Sequence, residues 1–141
     1  MSNDEETREV LRSARTIAIV GLSDKPDRDS NRVARYMLGQ GYDILPVNPN
    51  LTEALGRPAF PSLGAIPPNW HIDIVDIFRR ADQVEPVVEA AIARGVGTIW
   101  MQLGVQNESA AVAARSHGIR VYQDSCIMQE HRRLRVGHLP P

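Results

Sequence analysis

The sequence predicts an α/β fold: a doubly wound, parallel five-stranded sheet with flanking helices, in a single domain over residues 1–141. Three observations predict it. Short apolar runs rich in β-branched residues alternate with segments of helical period, the pattern of strands joined by crossover helices. Gly41, Gly95 and Gly118 each close a helical segment shortly before a strand, where a left-handed C-terminal residue is wanted. A chain of 141 residues also buries about two-thirds of its unfolded surface without help from disulfides or metals.

The elements follow in order. Val10, Leu11 and Ala14 mark a leading amphipathic helix over about residues 4–14, before a first strand "TIAIV" (16–20). Val33, Ala34, Met37 and Leu38 share one helical stripe and lead to a second strand, "DILPV" (43–47). The segment "GRPAFPSLGAIPPNW" is too rich in proline for a regular element and reads as a long connection to a third strand, "IDIVDIF" (72–78). Val84, Val87, Val88, Ala91 and Ile92 form a second stripe at i, i+3, i+4, i+7 and i+8. Strands "TIWMQL" (98–103) and "RVYQD" (120–124) come next, then a closing helix in "CIMQEHRRLR" and a loose tail at 136–141. The simplest strand order with right-handed crossovers is 3-2-1-4-5. Such sheets bind ligands beyond the carboxyl ends of the strands where the winding reverses, which this order puts at Gly21.

Composition narrows the function. With 16 Lys plus Arg against 17 Asp plus Glu, no broad field draws the chain to nucleic acid or to a membrane surface, so an anion has to be held locally. One cysteine, Cys126, excludes an internal disulfide framework and suits a reducing compartment. The opening "MSNDEETREVLRSAR" is acidic where a secretory signal is basic then apolar, and no apolar run approaches a membrane span; the expectation is a cytoplasmic protein.

The loop after the first strand, "GLSDKPDRDSNR", replaces the glycines of a dinucleotide fingerprint with side-chain donors. Asp29 or Ser30 is the candidate N-cap, leaving the N–H groups of Asn31 and Arg32 in a first helical turn that favours anions. Ser23, Ser30 and Asn31 add neutral donors. Lys25, the only lysine beside fifteen arginines, adds a cation, and Arg32 offers a fork for two phosphate oxygens. A solvated polar connection would also read this way. At the second strand end, "VNPN" (47–50) has no carboxylate for ribose hydroxyls before Glu53, which disfavours NAD, and Arg57 stands too far along for NADP. Asn48 and Pro49 suit an uncharged base or ribose edge, or simply stop the strand. Phe78 with Arg79 or Arg80 pairs an aromatic face with a cation, as an adenine and an isolated phosphate require, although Phe78 also reads as core. Gln102 ends the fourth strand, and Gly104 permits close backbone approach.

These segments together, "VGLSDKPDRDSNRVARYM", "GYDILPVNPN", "IDIVDIFRR", "WMQLGVQNE" and "DSCIMQEHRRL", resemble the small CoA-binding proteins of the succinyl-CoA synthetase-like Rossmann superfamily over about residues 15–135. The resemblance implies a Rossmann-like nucleotide-binding fold that holds coenzyme A or an acyl-CoA across the strand ends, phosphates near the first loop. It implies binding roles for Gly21, Ser23, Lys25, Asn31, Arg32, Asn48, Pro49, Phe78, Arg79, Gln102 and Gly104. Where such proteins commonly continue Asp-Arg-Cys-Ile-Lys, this chain reads Asp124, Ser125, Cys126, Ile127, Met128 and lacks both cations. In the larger synthetase subunit the phosphorylated histidine lies in a second domain, for which these 141 residues leave no room, so the expectation is binding without ligase chemistry. The alternatives are a small enzyme acting on CoA thioesters and an NAD(P)-dependent oxidoreductase.

Motifs for catalysis are sparse. Cys126 precedes a helix and reads either as a stabilised thiolate able to exchange with a disulfide of CoA or as a buried apolar group. His71, His117, His131 and His138 have no metal-ligand spacing, and neither a nucleophile elbow nor a Walker sequence is present. Asp76 is read as hydrogen-bonded near a strand end, without a chemical role.

Overall fold

Parallel strands covered by helices on both sides must be apolar on both faces. The structure is a computed structural model that describes residues 3–141. In chain order its strands are β1 (Thr16–Val20), β2 (Asp43–Val47), a two-residue hairpin pair β3 (Glu53–Ala54) and β4 (Arg57–Pro58), then β5 (Ile74–Ile77), β6 (Thr98–Met101) and β7 (Arg120–Tyr122). The helices are α1 (Asp4–Ser13), α2 (Asp29–Gly39), α3 (Val84–Arg94), α4 (Glu108–Arg115) and α5 (Ile127–Arg133). All neighbours in the five-stranded sheet are parallel. Alternate residues divide between two cores. Ile17, Ile19, Ile44, Ile74 and Trp100 pack with α1, α2 and α5 through Leu11, Met37 and Ile127. Ala18, Val20, Val75, Ile77, Ile99 and Met101 pack with α3 and α4 through Val88, Ala91, Ala110 and Ala114. Both predicted stripes therefore face the sheet, with Leu38, Val87 and Ile92 at their edges. Gly95 closes α3 at φ 71°, as a left-handed cap should.

The strand order differs from the simplest expectation. The sheet runs β2-β1-β5-β6-β7, which is 2-1-3-4-5 when only its own strands are counted. The doubly wound parallel class holds, but the third strand lies beside the first instead of outside the second. The place outside β2 is taken by one residue of the proline-rich connection. Phe60 bridges Val47, donating its N–H to the Pro46 carbonyl (2.9 Å) and accepting from the Asn48 N–H (2.9 Å). Pro58 and Pro61 flank it without donors, so this bridge cannot grow into a strand. The chain then crosses to the far side of β1, and the winding reverses between β1 and β5.

Two further expectations change. The third strand begins at Ile74 because the Asp73 carboxylate turns aside to accept the N–H groups of Arg15 (2.8 Å) and Thr16 (3.0 Å) at the start of β1. The residues from 136 onward, expected to be loose, dock on α2. Leu139 is buried and its N–H donates to the Gln40 carbonyl (2.8 Å). Buried His131 holds the approach, its Nε2–H donating to the Gly137 carbonyl (3.1 Å) while Nδ1 accepts from the Tyr36 hydroxyl (2.7 Å). Burial lowers the His131 pKa, which favours the neutral ring over the charged one, against the opposing pull of the Gly137 bond.

Candidate functional site

At the reversal point the main chains leaving β1 and β5 touch. Gly21 has φ 88° and donates its N–H to the Val47 carbonyl (2.8 Å). A Cβ added there would sit 2.4 Å from the Phe78 carbonyl oxygen, closer than a non-bonded contact allows. Glycine lets the two strand ends close up and sets Phe78 at the mouth of the crevice between them.

The loop after β1 uses its polar groups on itself. The Ser30 hydroxyl accepts from the Ser23 N–H (3.0 Å), and the Ser23 hydroxyl accepts from the Lys25 N–H (3.1 Å). The Asn31 amide donates to the Ser23 carbonyl (2.9 Å), while its oxygen accepts from Arg35 Nε (2.8 Å). Buried Asn31 is thus a brace. The helix starts one or two residues earlier than expected: Arg28, in extended conformation, is the N-cap in place of Asp29 or Ser30, and the Ser30 hydroxyl is committed to Ser23. Arg32 is then the fourth residue of α2, and its N–H is taken by the Arg28 carbonyl (3.0 Å), not left for a ligand. Asn48 braces too, donating its amide to the Leu22 carbonyl (2.9 Å) and accepting from the Asn50 N–H (2.9 Å).

These braces leave a cleft of about 550 Å³ at the carboxyl ends of the strands, within the usual range for small-molecule sites. From α2 come Asp29, Arg32 and Val33, and from the segment after β5 come Phe78, Arg79 and Arg80. The segment after β6 contributes Gln102 to Val105, and the start of α5 contributes Cys126, Met128 and Gln129. This last wall is cross-tied. The buried Gln102 side-chain oxygen accepts from the Ile127 N–H (3.1 Å), Asp124 accepts from the Gly104 N–H (2.7 Å), and Trp100 Nε1 donates to the Ser125 carbonyl (3.0 Å). A second cavity, about 410 Å³, lies at the opposite ends of the strands between Asp43, Arg57, Trp70 and His71.

Of the sequence-predicted residues, Arg32, Phe78, Arg79, Gln102 and Gly104 therefore meet in one cleft, with Gly21 directly behind Phe78. Ser23, Asn31 and Asn48 lie outside the lining, bonded within the loop after β1 and to Leu22. Lys25 and Pro49 are exposed and lie outside the lining. Arg57 pairs with Asp43 (2.6 Å) at the other end of the sheet, so it cannot serve a phosphate at the β2 end. The cations of the cleft differ in freedom. Arg32 pairs with Asp29 (2.5 Å) and Arg80 lies 3.5 Å from Asp82, whereas Arg79 has no carboxylate within ion-pair distance among the described residues. Strand-end reasoning did not reach Val33, Met128 and Gln129, which enter from helical turns; the apolar residues at the start of "CIMQEH" were the available signal.

Two buried groups lie close to this region of the fold. Cys126 is the N-cap of α5, buried and facing the cleft. Asp76, read from sequence as hydrogen-bonded, instead has neither carboxylate oxygen bonded among the described residues. It sits in register between Ile19 and Trp100, fully buried, and burial raises its pKa well above the ordinary carboxylate value.

The fold recurs in similar proteins. YneT of Bacillus subtilis (strain 168) is 42% identical over 126 residues, 89% of this chain and 92% of that one. A hypothetical protein from Pyrococcus horikoshii OT3 superposes with a TM-score of 0.89 at 41% identity, covering 93% of this chain and 91% of that chain. The Thermus thermophilus protein cell-free ID.343 does so at 0.89 and 36%, covering 94% and 99%. The family described as the CoA binding domain matches residues 15–132. Since that match runs from the residue before β1 into the last turn of α5, the chain belongs to the CoA binding domain family.

Proposed function

We infer that the protein binds coenzyme A, free or as a thioester, in the cleft at the carboxyl ends of β1, β5 and β6, and that it acts as a binding module with no catalytic group of its own. The observation that carries this reading is the pairing of Phe78 with an unpaired Arg79 at one mouth of the cleft. An aromatic face and a free guanidinium side by side suit an adenine and a phosphate set apart on its ribose. Membership in the CoA binding domain family supports it. So does the absence of a carboxylate at Asn48 to Asn50, where ribose hydroxyls of NAD would need one.

Calorimetric titration tests the reading. CoA should bind, dephospho-CoA should bind more weakly, and NAD and NADP should not compete; NAD binding as tightly as CoA would refute it. Arg79→Ala is expected to weaken CoA about tenfold, the worth of one charge-assisted bond at a half-exposed site, and to leave dephospho-CoA nearly unchanged. An undiminished gap between the two ligands would remove Arg79 from the phosphate site.

A further inference from the structure

The cleft is two-sided in charge. Its cations come only from α2 and from the segment after β5, in Arg32, Arg79 and Arg80. Across from them, the wall built after β6 and at the start of α5 presents no charged side chain to the cleft: its apolar surface is Leu103, Val105, Cys126 and Met128. Its polar groups are neutral amides: the Gln102 side-chain oxygen accepts from the Ile127 N–H, and Gln129 lines the cleft beside Met128. Leu103 is 56% exposed at the cleft edge, an apolar side chain that the core does not use.

A ligand with phosphates at one end can match them only on the arginine side, so its far end falls against the neutral wall. We propose that this wall recognises the acyl group of a CoA thioester, and that the cleft selects short, uncharged acyl chains over the free thiol and over acyl groups ending in a carboxylate. Apolar surface moved from water onto Leu103, Val105 and Met128 is gained with each methylene. A terminal carboxylate there would lose hydration without meeting a cation. This inference rests on the CoA reading above and adds the class of ligand to it.

Calorimetric titrations with CoA, acetyl-CoA, butyryl-CoA and succinyl-CoA test it. One fully buried methylene is worth about fourfold in affinity, so in this open cleft butyryl-CoA should bind about five- to tenfold more tightly than acetyl-CoA. Succinyl-CoA should be the weakest of the thioesters. Equal affinities across the series, or succinyl-CoA equal to butyryl-CoA, overturn acyl recognition while leaving CoA binding intact. Failure of all four to bind overturns both. Leu103→Lys alters a side chain the core does not need and puts a cation on the neutral wall. It should raise succinyl-CoA relative to butyryl-CoA by about tenfold; an unchanged ratio in the folded variant also overturns the proposal.

Discussion

Gly21→Ala is expected to lower stability by roughly 2–5 kcal/mol, adding about 1–2 kcal/mol for a left-handed non-glycine residue to about 1–3 kcal/mol for overpacking. The overlap is with main chain, the Phe78 carbonyl oxygen at 2.4 Å, so no rotamer change relieves it. Either the ends of β1 and β5 move apart or the turn is lost, and Phe78 moves with its carbonyl in both cases. Gly104→Ala is the internal control. Its φ is also positive, at 80°, but a Cβ there meets nothing within 4 Å, so only the backbone term of about 1–2 kcal/mol applies. Urea unfolding of both variants separates contact from conformation. Equal losses in the two would mean that the close approach of β1 and β5 is not what requires glycine at position 21.

Asp76 should make stability fall as pH rises. Its folded-state pKa lies well above the unfolded value near 3.9, so the folded chain holds a proton that the unfolded chain releases. The contribution is fully present below the unfolded value, declines by about 1.4 kcal/mol per pH unit above it, and is lost once the pH has passed the folded-state value. Buried His131 acts with the opposite sign, since its lowered pKa costs stability as pH falls below about 6.5. The difference between the wild type and Asp76→Asn isolates the carboxyl. Unfolding measured from pH 4 to 8 should show the slope in the wild type and not in Asp76→Asn. Asp76→Val, which fits a parallel strand between Ile19 and Trp100, should gain about 1–3 kcal/mol at pH 7 by removing an unbonded polar group. The same slope in Asp76→Asn as in the wild type would contradict this assignment.

What could be read from the sequence was what depends on local pattern. Strands apolar on both faces, helical stripes and closing glycines are short-range signals, and they located all five strands of the sheet. Phe78, Arg79, Gln102 and Gly104 line the cleft because residues directly after a parallel strand lie at the carboxyl edge of the sheet. The misread features depend on distant partners. Nothing in "VNPN" says that Asn48 reaches the Leu22 carbonyl, and nothing in "DSNR" says that Ser30 and Asn31 tie back to Ser23. Donors suited to a phosphate are equally suited to a loop's own carbonyls. The place outside β2 was misassigned because one bridged residue, Phe60, fills it without a strand-like sequence. Leu139 docks through Gln40, His131 and Gly137, contacts that no periodicity announces.

The proposed placement of CoA at the strand ends is tested most directly by recording amide chemical shifts of the ¹⁵N-labelled protein during a CoA titration. Binding at the strand ends should move the signals of Arg32, Phe78, Arg79, Gln102, Leu103 and Cys126 together and leave Asp43, Trp70 and His71 in place. Shifts centred on Trp70 and His71, or a spectrum unchanged at saturating CoA, would contradict it.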